Sequence, residues 1–434
     1  MVAVVCSVAW CIAAAALLTL ANGDTQLAEL TAEASAPDDD FGSVVAFTGD
    51  LTMVGAKGND AFGSNSGCAY VFACCAGIGN GGWELEAKLF AADAAEDDRF
   101  GGTVSISDDT AIIGADGDND AGSDSGAAYI FVRNGSTWTQ QQKLTAGDAG
   151  AGDKFGHEVS ISGDTAVVGA FFHYSSITGA GSGAAYIFTR SGGTWSQAQK
   201  LTPVDAAAND LFGCSVGISV DTVIIGACND NGNGSAYIFT RSGSLWIQEA
   251  KLAALNASTD DKFGSAVSVS GDIAVVGAYW HDNAAIVNSG SAFVFARSGT
   301  SWYLEAHLAA FDASEEDRFG IDVEVSGNVA VIGAYFDSDA GIYSGSAYVF
   351  RREDGGTWSL RAKLAAENAA AGDNFGYGVS IWDSGLGPYA TAVGAPGVNL
   401  TYVFDGEIPT TGTSTTNTTT STSTTYTSTT QTST

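Results

Sequence analysis

The carboxylates have the most suggestive spacing in this chain. Asp116, Asp118, Asp120 and Asp124 stand at i, i+2, i+4 and i+8 in the stretch DGDNDAGSD. Oxygen donors spaced this way suit a hard cation that takes six to eight oxygen ligands, so the stretch is a candidate calcium loop. A solvated acidic loop accounts for the same residues. Asn229, Asp230, Asn231 and Asn233, and Asp337 with Asp339, are weaker echoes. Seven further aspartates each precede a Phe by two positions: Asp39, Asp98, Asp153, Asp210, Asp261, Asp317 and Asp373. A ring of cation ligands is one reading. The favoured one is an Asp that accepts backbone amides in a tight loop, since every copy needs the same turn. Asp93, Asp148, Asp205 and Asp312 are read the same way.

Aromatic clusters form a second group: Phe171-Phe172-His173-Tyr174, Tyr279-Trp280-His281 and Tyr335-Phe336-Asp337. The first ring of each is expected to pack between neighbouring units. Phe172, His173, Trp280, His281, Phe336 and Asp337 are then candidates for docking a protein or glycan, because aromatic side chains dominate binding hot spots. Nothing comparable supports catalysis. The four histidines are scattered, without metalloprotease spacing. Gly213-Cys214-Ser215-Val216-Gly217 fits G-x-S-x-G but lies in a strand, not at a strand-to-helix elbow. The chain is expected to be non-enzymatic.

These residues are positioned by a repeat. Phe-Gly pairs begin at residues 41, 100, 155, 212, 263, 319 and 375, with a Leu eleven residues before each Phe. A Gly-Ala follows fourteen residues after the Phe in six copies and nineteen after in the seventh. A period of 51 to 59 residues indicates a closed array of supersecondary units. In the third copy HEVSIS, TAVVGA, GAAYIFTR and TWSQAQKL read as four strands. Gly163-Asp164 between the first two is a two-residue hairpin signal of the type I′ kind. Four strands in each of seven copies make an all-β, seven-bladed propeller of antiparallel blades. The seventh copy lacks a fourth strand, and Asp24 to Leu30 has no blade of its own. This N-terminal segment is therefore expected to complete the last blade and close the ring.

The ends differ from the repeat. Residues 1–23 are apolar and finish in Ala-Asn-Gly, a small-residue cleavage site, so they read as a signal peptide. An uncleaved leader is the alternative. Residues 406–434 are dominated by Thr and Ser and read as a disordered, glycosylated stalk. Membrane association would come only through an uncleaved leader or an anchor beyond that stalk. Asn134, Asn233, Asn256, Asn399 and Asn417 begin Asn-x-Ser/Thr acceptor sites. Without the leader five cysteines remain, too few and too scattered for a disulfide framework. Cys214 and Cys228 lie on adjacent strands but offset by one, so a disulfide bridge between them would need a bulge, and small buried thiols are the favoured reading. A net charge of −32 disfavours nucleic acid and anionic lipid and attracts cations or basic surfaces.

The Phe-Gly and Gly-Ala(-Pro) pattern, followed by Tyr-Val-Phe or Tyr-Ile-Phe strands, resembles FG-GAP repeats. These form the N-terminal seven-bladed propeller of integrin α subunits. The resemblance covers residues 24–405 and is closer to FG-GAP proteins of microbes and protists. It implies ligand binding on the face that carries the longer loops. Integrin-type calcium loops lie between Phe-Gly and Gly-Ala-Pro, where this chain has only a tight turn, so those sites do not carry over. The expectation is a secreted or cell-surface recognition or adhesion propeller that binds an extracellular protein or glycan, with calcium as a candidate cofactor. The alternative is a structural coat or matrix component, with the propeller as a calcium-cross-linked spacer.

Overall fold

Strands of four to eight residues, joined by glycine turns or polar loops, assemble into seven four-stranded antiparallel sheets. The computed structural model describes residues 24–32, 36–74, 82–254, 258–283, 286–383 and 389–406. The leader, Cys75, Asn256, Asn417 and all but the first residue of the Ser/Thr tail lie outside them.

Blade three shows the plan. Its strands a to d are Phe155–Ser162, Thr165–Ala170, Ala184–Ser191 and Thr194–Leu201, hydrogen-bonded in that order. Strand b, TAVVGA, is buried along its whole length. It is covered on both faces by neighbouring blades, which explains a continuous β-branched run in place of alternation. Strand d lies outermost and is half exposed. The hairpin between a and b carries positive φ at Gly163 but not at Asp164. This corrects the I′ expectation: one left-handed residue at the first central position is the II′ pattern, for which Gly is also the favoured residue.

The repeated motif residues form the joints between blades. Phe155 is fully buried and meets Tyr186 and Phe188 of strand c edge-on, with centroids 5.5 and 6.0 Å apart. The glycine of each Gly-Ala pair lies so close to the Phe-Gly carbonyl of the next blade that a Cβ would stand 1.8 to 2.2 Å from that oxygen. Only glycine permits this approach. Around the axis, each innermost strand would leave N–H groups unpaired. Serines of the preceding blade accept several of them: Ile161 N–H donates to Ser105 Oγ (3.2 Å), Ile218 N–H to Ser160 Oγ (3.3 Å) and Val325 N–H to Ser268 Oγ (3.1 Å).

The ring closes as expected. Thr25–Thr31 pairs antiparallel with Leu400–Gly406 and supplies the fourth strand of the last blade. Tyr389 donates to the Asp24 carboxylate (2.9 Å), and Phe41 N–H donates to Asn399 Oδ1 (3.2 Å).

Candidate functional site

In an antiparallel blade the b–c and d–a loops emerge on one face and the short a–b and c–d turns on the other. Hydrogen bonds join each b–c loop to the next d–a loop, as from Asp97 N–H to Ser64 O and from Arg99 N–H to Asn65 O. The loops therefore form one continuous rim.

Beneath that rim most blades hold a polar cell. In blade two the Lys143 ammonium lies 2.6 Å from Asp118, 2.7 Å from Asp120 and 2.8 Å from Asp93, while Tyr129 O–H donates to Asp118 (2.8 Å). Blade six repeats it. Lys363 meets Asp312, Asp337 and Asp339 at 2.6 to 2.8 Å, and Tyr348 O–H donates to Asp312 and Asp337. In blade four Lys251 joins Asp205 and Asp230. In blade three Lys200 joins Asp148, and its Nζ lies 2.6 Å from Nε2 of His173. In blade five His307 stands where the lysine would be, stacked on Phe293 and bonded to Ser291. Burial opposes ionisation of Asp93, Asp148, Asp205 and Asp312. Bonds from the lysine and tyrosine outweigh it and hold all four below the usual Asp range.

These cells rearrange the sequence-based sites. Asp118 and Asp120 come together with Asp93, whereas Asp116 pairs with His157 and Arg99, and Asp124 with Lys154. The four aspartates of the candidate loop are not one ligand set. Two triads, Asp93/Asp118/Asp120 and Asp312/Asp337/Asp339, gather enough oxygens to hold a metal ion. Their fit is poor, because an ammonium already occupies the centre of each. The partners are lysines that directly precede the anchor leucines, Lys143, Lys200, Lys251 and Lys363, whereas Lys88 at the same position lies over the Tyr70 and Phe90 rings. That repeated Lys-Leu pair was the missed sequence signal.

The aspartates before each Phe follow the loop reading. Asp98, Asp153, Asp210, Asp261, Asp317 and Asp373 are buried, and each accepts a backbone N–H from three residues upstream. Asp39 instead accepts from the Asn59 side chain.

The aromatic candidates divide. His173, His281 and Asp337 are buried in the cells, so they are not docking residues. Phe172 is exposed. Phe336 is sandwiched between Tyr343, stacked at 4.2 Å, and the Arg318 guanidinium at 4.3 Å. Trp280 is half-buried under Lys262. Tyr335 is buried as expected, whereas Phe171 and Tyr279 face the axis and not a blade interface. The largest exposed apolar residues on the rim also include Tyr174, from the first aromatic cluster, and Phe62, Ile177 (92% exposed), Phe311 and Ile342, which lie outside the clusters.

Of the acceptor asparagines, Asn134 is exposed on the turn face and Asn233 is half-buried. Asn399 uses its side chain in ring closure, donating to Ala36 O (2.9 Å). Cys214 and Cys228 do meet: a register shift between Phe212 and Ser215 supplies the required bulge, and Cys228 N–H points at Cys214 Sγ (3.1 Å). No disulfide joins Cys214 to Cys228.

Among known proteins, a solved structure similar to this chain is that of Saccharomyces cerevisiae Sqt1, at 9% identity and a TM-score of 0.49, covering 89% of this chain and 100% of that one. No curated protein matches. Residues 25–72, 83–131, 138–188, 195–239, 246–295, 302–350 and 358–401 each match the FG-GAP repeat. These stretches correspond to the seven joints and strand sets described above, and the chain belongs to the FG-GAP repeat family.

Proposed function

We propose that this protein is a non-enzymatic recognition propeller, acting outside the cell or at its surface, that binds a basic protein through its loop face. The observation that carries this reading is a set of large exposed apolar side chains on the loop face, beside a smaller set (Leu85, Val220, Leu245, Ile247, Tyr303 and Leu360) on the turns of the opposite face and the outer strands. Phe62, Phe172, Tyr174, Ile177, Phe311, Ile342 and Tyr343 all lie on the rim. Exposed apolar side chains that cluster among polar ones favour an interaction surface. Exposed Asp60, Glu96, Asp97, Asp120, Asp260, Glu315, Asp339 and Glu367 stand among them, so the complementary partner is positively charged with apolar anchors. Calcium has no required part in this reading, since lysines neutralise the two Asp triads.

The test is binding of candidate partners to the wild type and to two double variants. Tyr174→Ala with Ile177→Ser alters the rim, and Leu245→Ser with Val220→Ser alters the opposite face. Binding that weakens at least tenfold in the first variant only, falls with rising salt and persists in EDTA supports the proposal. Equal loss in both variants overturns it. A chelator-sensitive self-association with no rim dependence would favour the matrix-spacer role.

A further inference from the structure

Blade one breaks a pattern that the other six blades keep. The polar cell draws its acids from three repeat positions. One lies four residues after the Leu that leads into the blade, and the others lie three and five after the Ala of Gly-Ala. Blades two, three, four and six carry a lysine before their closing Leu and an aspartate at one or more of these positions. Blades five and seven have His307 and Glu29 in place of the lysine, and no acid at any of the three. Blade one keeps Lys88, yet its three positions hold Ala34, Asn59 and Ala61.

Three other blades show what the lysine and its neighbouring tyrosine receive. In blade three Tyr186 O–H donates to one oxygen of Asp148 (2.8 Å), and Lys200 holds the other (2.7 Å). Asp205 bridges Tyr237 and Lys251 in the same way, at 3.1 and 2.6 Å. Asp312 bridges Tyr348 and Lys363, at 2.8 and 2.7 Å. The side chains of these bridging aspartates are 24 to 49% exposed, so the place they fill is reached from solvent.

Blade one has both receiving groups. Lys88 Nζ stands 4.8 Å from the centre of the Tyr70 ring, against 5.1 to 5.5 Å for the other four lysines and their tyrosines. Those four lysines each pair with an aspartate, whereas Lys88 forms no ion pair among the described residues. Tyr70 is 1% exposed, and its hydroxyl has no hydrogen-bond partner among the described residues. A buried donor left in this state is costly until an acceptor reaches it. The neighbours do not supply one. The Asn59 amide donates to Asp39 (2.9 Å), and burial pushes the adjoining Cys68 thiol up to about 12, so that thiol stays neutral.

We propose that blade one binds an organic monocarboxylate, with one oxygen on Tyr70 O–H and the other on Lys88 Nζ. This is the bridge that Asp148, Asp205 and Asp312 form within the chain. One ammonium matches one negative charge. The body of the ligand is apolar, because two aromatic residues peculiar to blade one adjoin the lysine. Lys88 lies over Phe90 (5.2 Å), and Phe62 meets Phe90 edge-on at 5.0 Å and is 56% exposed. The other blades have no aromatic residue at either repeat position. The Tyr70 hydroxyl is shielded from water, so the carboxylate enters beside the half-buried Lys88 and turns Phe62 aside. The site does not depend on the partner proposed for the rim.

Isothermal titration of the intact protein with phenylacetate tests the proposal, and one site per chain is expected. Phenylacetamide keeps the ring and loses the charge, and acetate keeps the charge and loses the ring. Both should bind at least tenfold more weakly. Lys88→Met removes the cation. Ala61→Asp installs, at an exposed position, the aspartate that Asp120 and Asp339 present to their lysines. Each variant should weaken phenylacetate at least tenfold, and Ala61→Asp should do so without a loss of melting temperature. The tripeptide Gly-Gly-Phe, with a free or an amidated C-terminus, separates two sources of the carboxylate. Tighter binding of the free peptide than of phenylacetate assigns the site to a protein C-terminus, and the reverse assigns it to a small acid. Absence of saturable heat in the wild type, equal binding of phenylacetamide, or binding unchanged in Lys88→Met and Ala61→Asp would overturn the proposal.

Discussion

Gly394 of the last blade lies against the carbonyl oxygen of Gly42 in the first, so closely that a Cβ at Gly394 would stand 1.8 Å from it. The same glycine-to-carbonyl contact joins every other pair of neighbouring blades, so this one locks the ring at the blade that both chain ends build. Gly394→Ala must displace backbone and is expected to cost about 2–3 kcal/mol. Gly163→Ala is the control: it has a positive φ but no atom within 4 Å, and should cost about 1 kcal/mol. Thermal unfolding of the two variants checks the order.

Blade four uses a valine where most hairpins between strands a and b use glycine. Val220 holds a φ of 54° and is 70% exposed, so it gains little packing in return for its strain. Val220→Gly is expected to stabilise the protein by roughly 1 kcal/mol. A midpoint shift in chemical denaturation, with an unchanged slope, would show it.

Lys143 stands where a metal would stand. Lys143→Met leaves Asp93, Asp118 and Asp120 facing one another. The expected loss is on the order of 2 kcal/mol, less than for a fully buried pair because Asp93 and Asp120 are solvent-exposed. Calcium should then raise the melting temperature of the variant and leave the wild type unchanged. An equal rise in both would show that the ammonium does not exclude the ion.

The acids that line the axial cavity give a pH dependence of defined sign. Glu158 is raised from 4.5 to about 8 in the folded protein, so the native state binds more protons than the unfolded chain between those values. Its contribution is fully present below about pH 4.5 and is lost as pH rises through about 8. The wild type should therefore lose melting temperature relative to Glu158→Gln between pH 5 and 9. Parallel curves would contradict the assignment.

The Cys214 and Cys228 side chains are hydrogen-bonded. Burial raises the Cys214 thiol, while Cys214 itself and then Lys262 lower Cys228. The Cys228 thiolate is expected to attack one sulfur of an added external disulfide, breaking its S–S bond and releasing one thiol, after which Cys214 attacks the Cys228 sulfur of the mixed disulfide and releases the second thiol, joining the two. Mass spectrometry should find a loss of two hydrogens and a Cys214–Cys228 crosslinked peptide. The closed loop is short, so the gain in stability should be about 3 kcal/mol. A lasting mixed disulfide at Cys228 alone would mean that the two sulfurs cannot reach bonding geometry.

Much of the fold was legible because its rules are local and repeated. Phe-Gly, Gly-Ala and the anchor Leu recur seven times, since each blade meets its neighbour through the same contact. The missing fourth strand and the orphan segment at Asp24 to Leu30 together specified closure. The site was less legible. Asp116 to Asp124 look like one ligand set along the chain, but Lys143, Arg99, His157 and Lys154 divide them, and these residues arrive from other strands and loops. His173 and His281 look like rim residues by their place after an aromatic pair, yet the loop turns them inward into the polar cell. Glu158 lies far from Asp322 and Glu324 in the sequence, and the three line one axial cavity only because seven inner strands are drawn around one axis. The sequence by itself determined the blade, its joints and their number, through contacts set by residue type and spacing. Only the tertiary structure decided which charges meet, because a carboxylate's partner depends on which segments the closed ring brings within a few ångströms.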